Sequence, residues 1–186
     1  MPSDGSVPAG LVQGTCSGQV TSMAEGVGAE ALRSVMRSWA SGVTLVTARL
    51  GERRHGMTVS SFTSVSLDPP LVVVSLEKTS NTHALVISSG AFAVTILDES
   101  QADLAARFAG GVPDKQDRFD QLPTEVAVTG SPIPAGGLAA LDCRVVSSYP
   151  VGTHTLIVGQ VVHAQVRRDG RPLLYFHRDY RTLTPG

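Results

Sequence analysis

The sequence has little cysteine and no run of basic residues, and both features limit what the protein can be. Two cysteines in 186 residues cannot build a disulfide framework, and Cys16 lies in a glycine-rich leader whereas Cys143 lies in an alternating apolar pattern. The patterns C-x-x-C, H-E-x-x-H and G-x-x-x-x-G-K-[ST] are missing, so we expect neither a metal site nor a P-loop. With a net charge of −1, we expect no nucleic-acid partner.

Long apolar segments and a basic amino-terminal region are also missing. No stretch approaches the roughly 20 apolar residues that cross a bilayer, so we expect no membrane association. The first basic side chain is Arg33, so the leader lacks the charged region of a secretory signal, and we expect a cytoplasmic protein. Residues 1–28 carry six glycines and two prolines. This composition predicts a disordered tail at 1–28, followed by one domain at 29–186.

The remaining residues predict a mainly β domain with a few helices. Leu32, Val35, Met36 and Trp39 follow helical spacing and predict a first helix whose apolar stripe belongs to the core. Runs rich in β-branched residues predict strands at 43–50, 56–61, 71–76, 91–97, 138–147, 153–166 and 172–176. This order of elements is typical of a closed or nearly closed antiparallel barrel.

Two short helices are predicted between these strands. Ser80 can cap a helix that ends near Gly90. Asp98 and Gln101 form a capping-box pattern for a second helix through Phe108, which the glycines at 110 and 111 would end.

Residues 55–70 carry the strongest functional signal. Small hydroxyl residues alternate there with apolar ones, and the segment closes with Pro69 and Pro70. Short hydroxyl side chains contribute little buried apolar area, but they let backbone N–H groups come close to a polar ligand. An ordinary Ser/Thr-rich edge strand and turn would show the same composition, so the residues alone leave both interpretations open.

The segment 55–70 resembles the signature of the short-chain flavin reductases, the reductase components of two-component flavin-dependent monooxygenases. The likeness extends over about residues 30–183, through 41–47, 91–97, 101, 106–109, 141–143, 152–154 and 172–176. The resemblance implies an antiparallel Greek-key split β-barrel and a homodimer with flavin sites at the subunit interface. It also implies hydride transfer from NADH to FAD, or to FMN, and release of the reduced flavin to a partner monooxygenase by diffusion.

The resemblance further implies which residues contact the flavin. These are Gly56, Met57, Thr58, Val59, Ser60 and Ser61 along the isoalloxazine and ribityl; Ser64, Val65 and Ser66 in a turn beneath the ring; Ser80, Asn81 and Thr82 at a phosphate-binding helix start; and Phe108, Ala109 and Lys115 near the phosphate or adenylate. Ser80 could also be a plain helix cap, Phe108 part of an apolar stripe, and Lys115 a solvated side chain.

For the nicotinamide, the resemblance implies a catalytic His154 together with Tyr180 and Arg33. Arg178 is a further candidate for the phosphates of the nicotinamide nucleotide. The family usually has an aspartate where this chain has Thr153, so a carboxylate that could orient the imidazole is missing. The main alternative function is a flavin carrier or sensor on the same barrel, without NADH turnover. A second is an oxidase of the pyridoxamine-phosphate type, for which no basic phosphate cluster is visible.

Overall fold

The computed structural model describes residues 26–111, 117–167 and 169–184. Cys16 and most of the predicted tail lie outside these residues, so the tail at 1–28 stays a prediction. In the described part of the chain, no helix is long and apolar enough to span a membrane.

The described residues form a mainly β structure with three short α-helices. The helices are α1 (Ala29–Met36), α2 (Asn81–Ser89) and α3 (Ala102–Ala106), the last preceded by a 3₁₀ turn (Glu99–Gln101) and followed by a π turn (Arg107–Gly111). The strands are β1 (Ser41–Gly42), β2 (Thr44–Leu50), β3 (Arg53–Val59), β4 (Phe62–Leu67), β5 (Pro70–Glu77), β6 (Ala91–Ile96), β7 (Thr124–Glu125), β8 (Ile133–Pro134), β9 (Ala139–Val151), β10 (His154–Val166), β11 (Leu174–Phe176) and β12 (Asp179–Arg181).

Seven strands make one large sheet, in the order β3-β2-β6-β9-β10-β5-β4, and every neighbouring pair is antiparallel. Within the described residues, β3 and β4 end this sheet and do not pair with each other. The sheet is therefore open, which matches the split barrel implied by the resemblance rather than full closure. A smaller sheet, β1-β11-β12, and the pair β7-β8 complete the fold.

Two apolar clusters hold the sheet and its helices together. The first lies within the large sheet and includes Val46, Leu76 and Phe92, none of which is exposed. The second cluster packs Phe108 and Phe119 beside β2, with the two rings edge to face at a centroid distance of 5.1 Å. This second cluster fixes the segment after α3 against the end of the sheet where β3 lies.

The predicted helix boundaries are confirmed at α2 and α3 because they depend on local contacts. The hydroxyl of Ser80 accepts the N–H of His83 at 3.1 Å, and Gly90 takes the left-handed conformation that ends α2. Asp98 and Gln101 form the predicted capping box. Gly110, with φ of 105°, breaks the helical path after Phe108.

The prediction that the α1 stripe belongs to the core is wrong for a single chain. Leu32, Val35, Met36 and Trp39 are all more than half exposed, and α1 has no buried residue. Helical spacing identifies an apolar face but not the surface that covers it.

Strand β4 also departs from the prediction. The turn expected at residues 64–66 is part of β4, which has a register shift against β5 between Ser64 and Ser66. An alternation of hydroxyl and apolar residues satisfies a strand as well as a turn, so the composition could not separate the two.

Candidate functional site

A cavity of about 350 Å³ lies at the amino-terminal end of α2, and we call it the α2 cavity. Its lining contains seven of the predicted flavin contacts: Met57, Thr58, Ser80, Asn81, Thr82, Phe108 and Ala109. It also contains five residues that were not predicted, namely His55, Glu77, Thr79, Gly110 and Arg118. The structure thus brings β3, the start of α2 and the segment after α3 to one place.

The start of α2 offers N–H donors for an anion in this cavity, which is also lined by the charged side chains of Arg118 and Glu77. The first N–H groups of any helix have no acceptor within the helix, and they form the positive end of its dipole. The hydroxyl of Ser80 already accepts the N–H of His83, so the amides of Asn81 and Thr82 remain for a ligand. His55 Nδ1 lies 2.8 Å from Thr82 Oγ1 in a hydrogen bond that orients this hydroxyl. A phosphate group fits this end of the cavity.

Another wall of the cavity is the outer edge of β3, which pairs with no further strand among the described residues. Arg118 donates from Nη1 to the carbonyl of Gly56 at 3.3 Å and to that of Phe108 at 3.0 Å. The Gly56 carbonyl therefore faces away from β2. Alternate residues of a strand direct their backbone groups to the same edge, so Thr58 shares this edge with Gly56. An edge strand of this kind offers hydrogen-bonding groups to a ligand.

A second cavity of about 190 Å³ continues from the first along β3, and we call it the β3 cavity. It is lined by Val43, Thr58, Ser60, Ala109, Tyr175 and Tyr180. Thr58 and Ala109 line both cavities, so the two are neighbours along β3, and we refer to them together as the groove. Burial and the neighbouring Tyr175 raise the pKa of the Tyr180 phenol above its usual value. The phenol stays protonated at neutral pH, where it can donate a hydrogen bond.

Several predicted flavin contacts lie outside the lining of this groove. Val59 is buried in the core, and its carbonyl accepts the hydroxyl of Thr44 at 2.8 Å. The hydroxyl of Ser61 donates to the carbonyl of Ser75 at 2.9 Å. The residues predicted beneath the ring, Ser64, Val65 and Ser66, lie in β4. Lys115 is outside the described residues.

His154 does not line the groove of a single chain. It is exposed at the first position of β10, with its Nδ1 2.9 Å from the hydroxyl of Thr153. The hydroxyl of Thr153 thus contacts the imidazole ring of its neighbour. Arg33 lies in a third cleft, which also contains Arg178.

Some of the lining residues that were not predicted could have been found from a local sequence pattern, and others could not. His55 directly precedes Gly56 and could have been found as part of the same strand. Tyr175 lies in the segment 172–176, which the resemblance includes without assigning it a flavin contact, whereas Arg118 comes from a distant segment and carries no local signal. Tyr175 reaches the groove through the pairing of β11 with β1, where it lies opposite Ser41.

The groove combines an anion-binding helix start, a free strand edge and hydroxyl groups, and so fits a planar heterocycle that carries a phosphate. Small-molecule sites generally combine an apolar lining with a few placed polar groups in this way. Among the described residues, no group of three or more His, Cys, Asp or Glu side chains could hold a metal ion.

Comparison with known proteins gives the family. The family model described as "Flavin reductase like domain" matches residues 36–184, so the chain belongs to the flavin reductase-like family. It is 38% identical to the reductase component of 4-hydroxyphenylacetate 3-monooxygenase from Thermus thermophilus, over 83% of this chain and 96% of that protein. It is 40% identical to the FMN reductase (NADH) SmoA of Agrobacterium fabrum, over 81% of this chain and 83% of that protein.

A solved structure has the same fold. The NADH:FAD oxidoreductase SgcE6 of Streptomyces globisporus, in complex with NAD and FAD fragments, superposes with a TM-score of 0.78 at 34% identity, over 87% of this chain and 98% of that one. These comparisons confirm the family and the split-barrel fold expected from the sequence. They also support a reductase over a flavin carrier.

Replacing Gly56 with alanine should disturb the groove, because an added Cβ would lie 2.9 Å from both Phe108 Cε1 and Thr47 Cγ2. We expect Gly56→Ala to lose about 1–3 kcal/mol of stability, as overpacked sites do, and to bind flavin more weakly. Thermal denaturation and flavin titration measure both effects. Gly42→Ala is the matched control, since nothing lies within 4 Å of its added Cβ. Equal changes in stability and in flavin affinity in the two variants would contradict this account of the groove.

Ser80→Ala separates a phosphate site from a plain helix cap. Loss of the cap should cost about 1 kcal/mol of stability in either case. If the start of α2 binds phosphate, the KM for FMN should rise several-fold while that for riboflavin, which has no phosphate, stays unchanged. Ser89→Ala, at the other end of α2, removes a comparable local hydrogen bond away from the groove. An equal rise for both flavins would place the phosphate elsewhere.

Proposed function

We propose that the protein is an NADH-dependent flavin reductase that reduces FAD or FMN and delivers it to a separate monooxygenase. The observation that supports this most directly is the pair of neighbouring cavities that lie at the start of α2 and along β3 and share Thr58 and Ala109. The names of the relatives, NADH-dependent flavin reductases and reductase components of monooxygenases, agree with it.

In this proposal the protein binds and orients its two substrates. Hydride acceptance from the reduced nicotinamide is the chemistry that the bound flavin supplies. Asn81 and Thr82 hold the phosphate, and the edge of β3 at Thr58 holds the ring. Tyr180 donates a hydrogen bond from the far side of the groove. Fixed geometry of this kind lowers the barrier by removing the entropy cost of bringing the reactants together.

A reductase of this kind has to release its product. We propose that flavin is a substrate held near micromolar affinity, about −8 kcal/mol, so that it exchanges during turnover. The acceptor is a flavin-dependent monooxygenase reached by diffusion. In this proposal FAD is the favoured flavin. FMN is also accepted, because it carries the same ring and first phosphate as FAD. We propose that both components work in the cytoplasm.

We further propose that the protein is a homodimer in which His154 serves the site of the other subunit. Two observations support this. His154 is exposed and lies outside the groove of its own chain. The apolar stripe of α1, with Leu32 and Val35, is exposed in a single chain, and exposed apolar patches of this kind are typical of protein contacts.

Turnover is the direct test of this function. Flavin-free protein is mixed with NADH and either FAD or FMN, the loss of reduced-nicotinamide absorbance is followed, and the assay is repeated with NADPH. We expect rapid loss that saturates with added flavin. Tight flavin binding without nicotinamide oxidation would instead identify a carrier or sensor.

His154→Ala should raise the KM for NADH, or lower kcat, by about tenfold while the affinity for flavin is unchanged, because the imidazole contacts the nicotinamide in this proposal. Steady-state kinetics with varied NADH, together with flavin titration, separate these effects. His163→Ala is the control, since this histidine is exposed on the same strand. An equal loss of affinity for NADH and for flavin would rule out the role assigned to His154.

Light scattering during size-exclusion chromatography gives the oligomeric state. A monomer would exclude a site that is shared between subunits.

A further inference from the structure

The turn between β9 and β10 carries His154 at an exposed end of the large sheet. β9 ends at Val151 and β10 begins opposite it at His154, so Gly152 and Thr153 form a two-residue loop. Gly152 has a φ of 53°, a positive value that tight hairpin loops of this length require. All four residues are exposed. Exposed loop tips are among the more mobile parts of a protein, so the contacts that hold this one determine where the imidazole lies.

Lys78 holds this turn on the side that precedes His154. Lys78 directly follows β5, the strand that pairs with β10. Its Nζ donates to the carbonyl of Gly152 at 2.7 Å, and its backbone N–H donates to the carbonyl of Thr153 at 3.0 Å. The first of these bonds has a charged donor and is therefore stronger than a bond between neutral groups. Both carbonyls of the two-residue loop are thus tied to one residue.

His83 holds the chain on the other side of His154. Its Nε2 lies 2.9 Å from the hydroxyl of Thr155, the residue directly after His154. Thr155 is only 4% exposed, so this hydrogen bond satisfies a hydroxyl that is removed from water. Burial, and after it the charge of Lys78, lower the pKa of His83, so its imidazole is neutral at neutral pH. The contact therefore places no second positive charge beside Lys78.

Lys78 and His83 both belong to the segment that leads into α2, and we call the two side chains the clamp. This segment is fixed by its own hydrogen bonds, because the hydroxyl of Ser80 donates to the carbonyl of Glu77 at 2.8 Å and accepts the N–H of His83 at 3.1 Å. Glu77 and Ser80 line the α2 cavity. The clamp therefore connects the β9–β10 turn to a rigid wall of that cavity.

The position of the His154 ring depends on the position of this turn. Nδ1 of His154 lies 2.9 Å from the hydroxyl of Thr153, so the ring is hydrogen-bonded to the loop that Lys78 holds. A displacement of the loop would displace the ring with it. When a group that contacts a reacting substrate is misplaced by about 1 Å, the rate can fall about a hundredfold. A small movement of the turn would therefore be measurable in the kinetics.

We propose that Lys78 and His83 are positioning residues, which hold the β9–β10 turn against the start of α2 and thereby fix the imidazole of His154 for the nicotinamide. This proposal rests on the role proposed above for His154. Neither clamp residue lines the groove, so each acts through His154 and not on a substrate. The clamp sets His154 relative to the sheet and α2 of its own chain, whichever subunit's groove the ring serves.

Lys78→Met keeps an unbranched side chain and removes the charged donor. We expect kcat/KM for NADH to fall about fivefold, as loss of one hydrogen bond from a charged group predicts, while the affinity for flavin is unchanged. Lys78→Arg keeps a donor and should recover most of this loss. His83→Leu should act in the same direction, and His83→Gln, which keeps a polar nitrogen, should recover activity. The matched controls are Arg144→Met and His163→Leu, since both side chains are exposed on the same β9–β10 hairpin and neither belongs to the clamp.

A double variant separates positioning of His154 from general stabilisation of the fold. If Lys78 acts through His154, adding Lys78→Met to His154→Ala should lower kcat/KM for NADH no further than His154→Ala alone. Thermal denaturation should still record the lost hydrogen bond in both backgrounds. Two kinetic losses that multiply would show that Lys78 acts independently of His154, and so would overturn the proposal.

Nuclear magnetic resonance of the histidine rings tests the clamp without any turnover. The chain has five histidines, and the signal that disappears in His154→Ala belongs to His154. We expect Lys78→Met and His83→Leu to shift or broaden this signal, and Arg144→Met to leave it in place. A His154 signal that neither clamp variant changes would overturn the proposal. If the signal changes as expected but the unmodified protein oxidises no nicotinamide with any flavin, the proposed reductase function fails while the clamp stands.

Discussion

The close approach of Gly56 to Phe108 is the contact on which the rest of the site depends. Gly56 has no side chain, so the Phe108 ring can lie directly beneath β3, where a Cβ would be 2.9 Å from it. Arg118 closes the contact by donating to the carbonyls of both residues. Thr58, two residues after Gly56, and Ala109, directly after Phe108, then line both cavities. A larger residue at position 56 would separate the walls of the groove.

The open sheet explains why the groove lies at this strand. A strand at the end of a sheet has unpaired backbone groups, which proteins normally cover because they promote aggregation. In this protein Arg118 and α3 cover part of the β3 edge, and the hydroxyl of Thr58 donates to the carbonyl of Ala105 at 2.6 Å. The remaining edge is left for a polar ligand. Closing the sheet by pairing β3 with β4 would remove this surface, so the split form of the barrel is a requirement of the site.

The sequence allowed the local elements to be predicted but not the contacts between distant segments. Ser80, Gly90 and the Asp98–Gln101 box act within a few residues, so their patterns were sufficient. The family signature placed Met57, Thr58 and the start of α2 in one site, and the structure brings them together. Tyr175 and Arg118 depend on how β11 and the segment after α3 pack, which no local pattern encodes. The prediction that the α1 stripe belongs to the core was wrong for a related reason, since periodicity does not identify the partner of an apolar face.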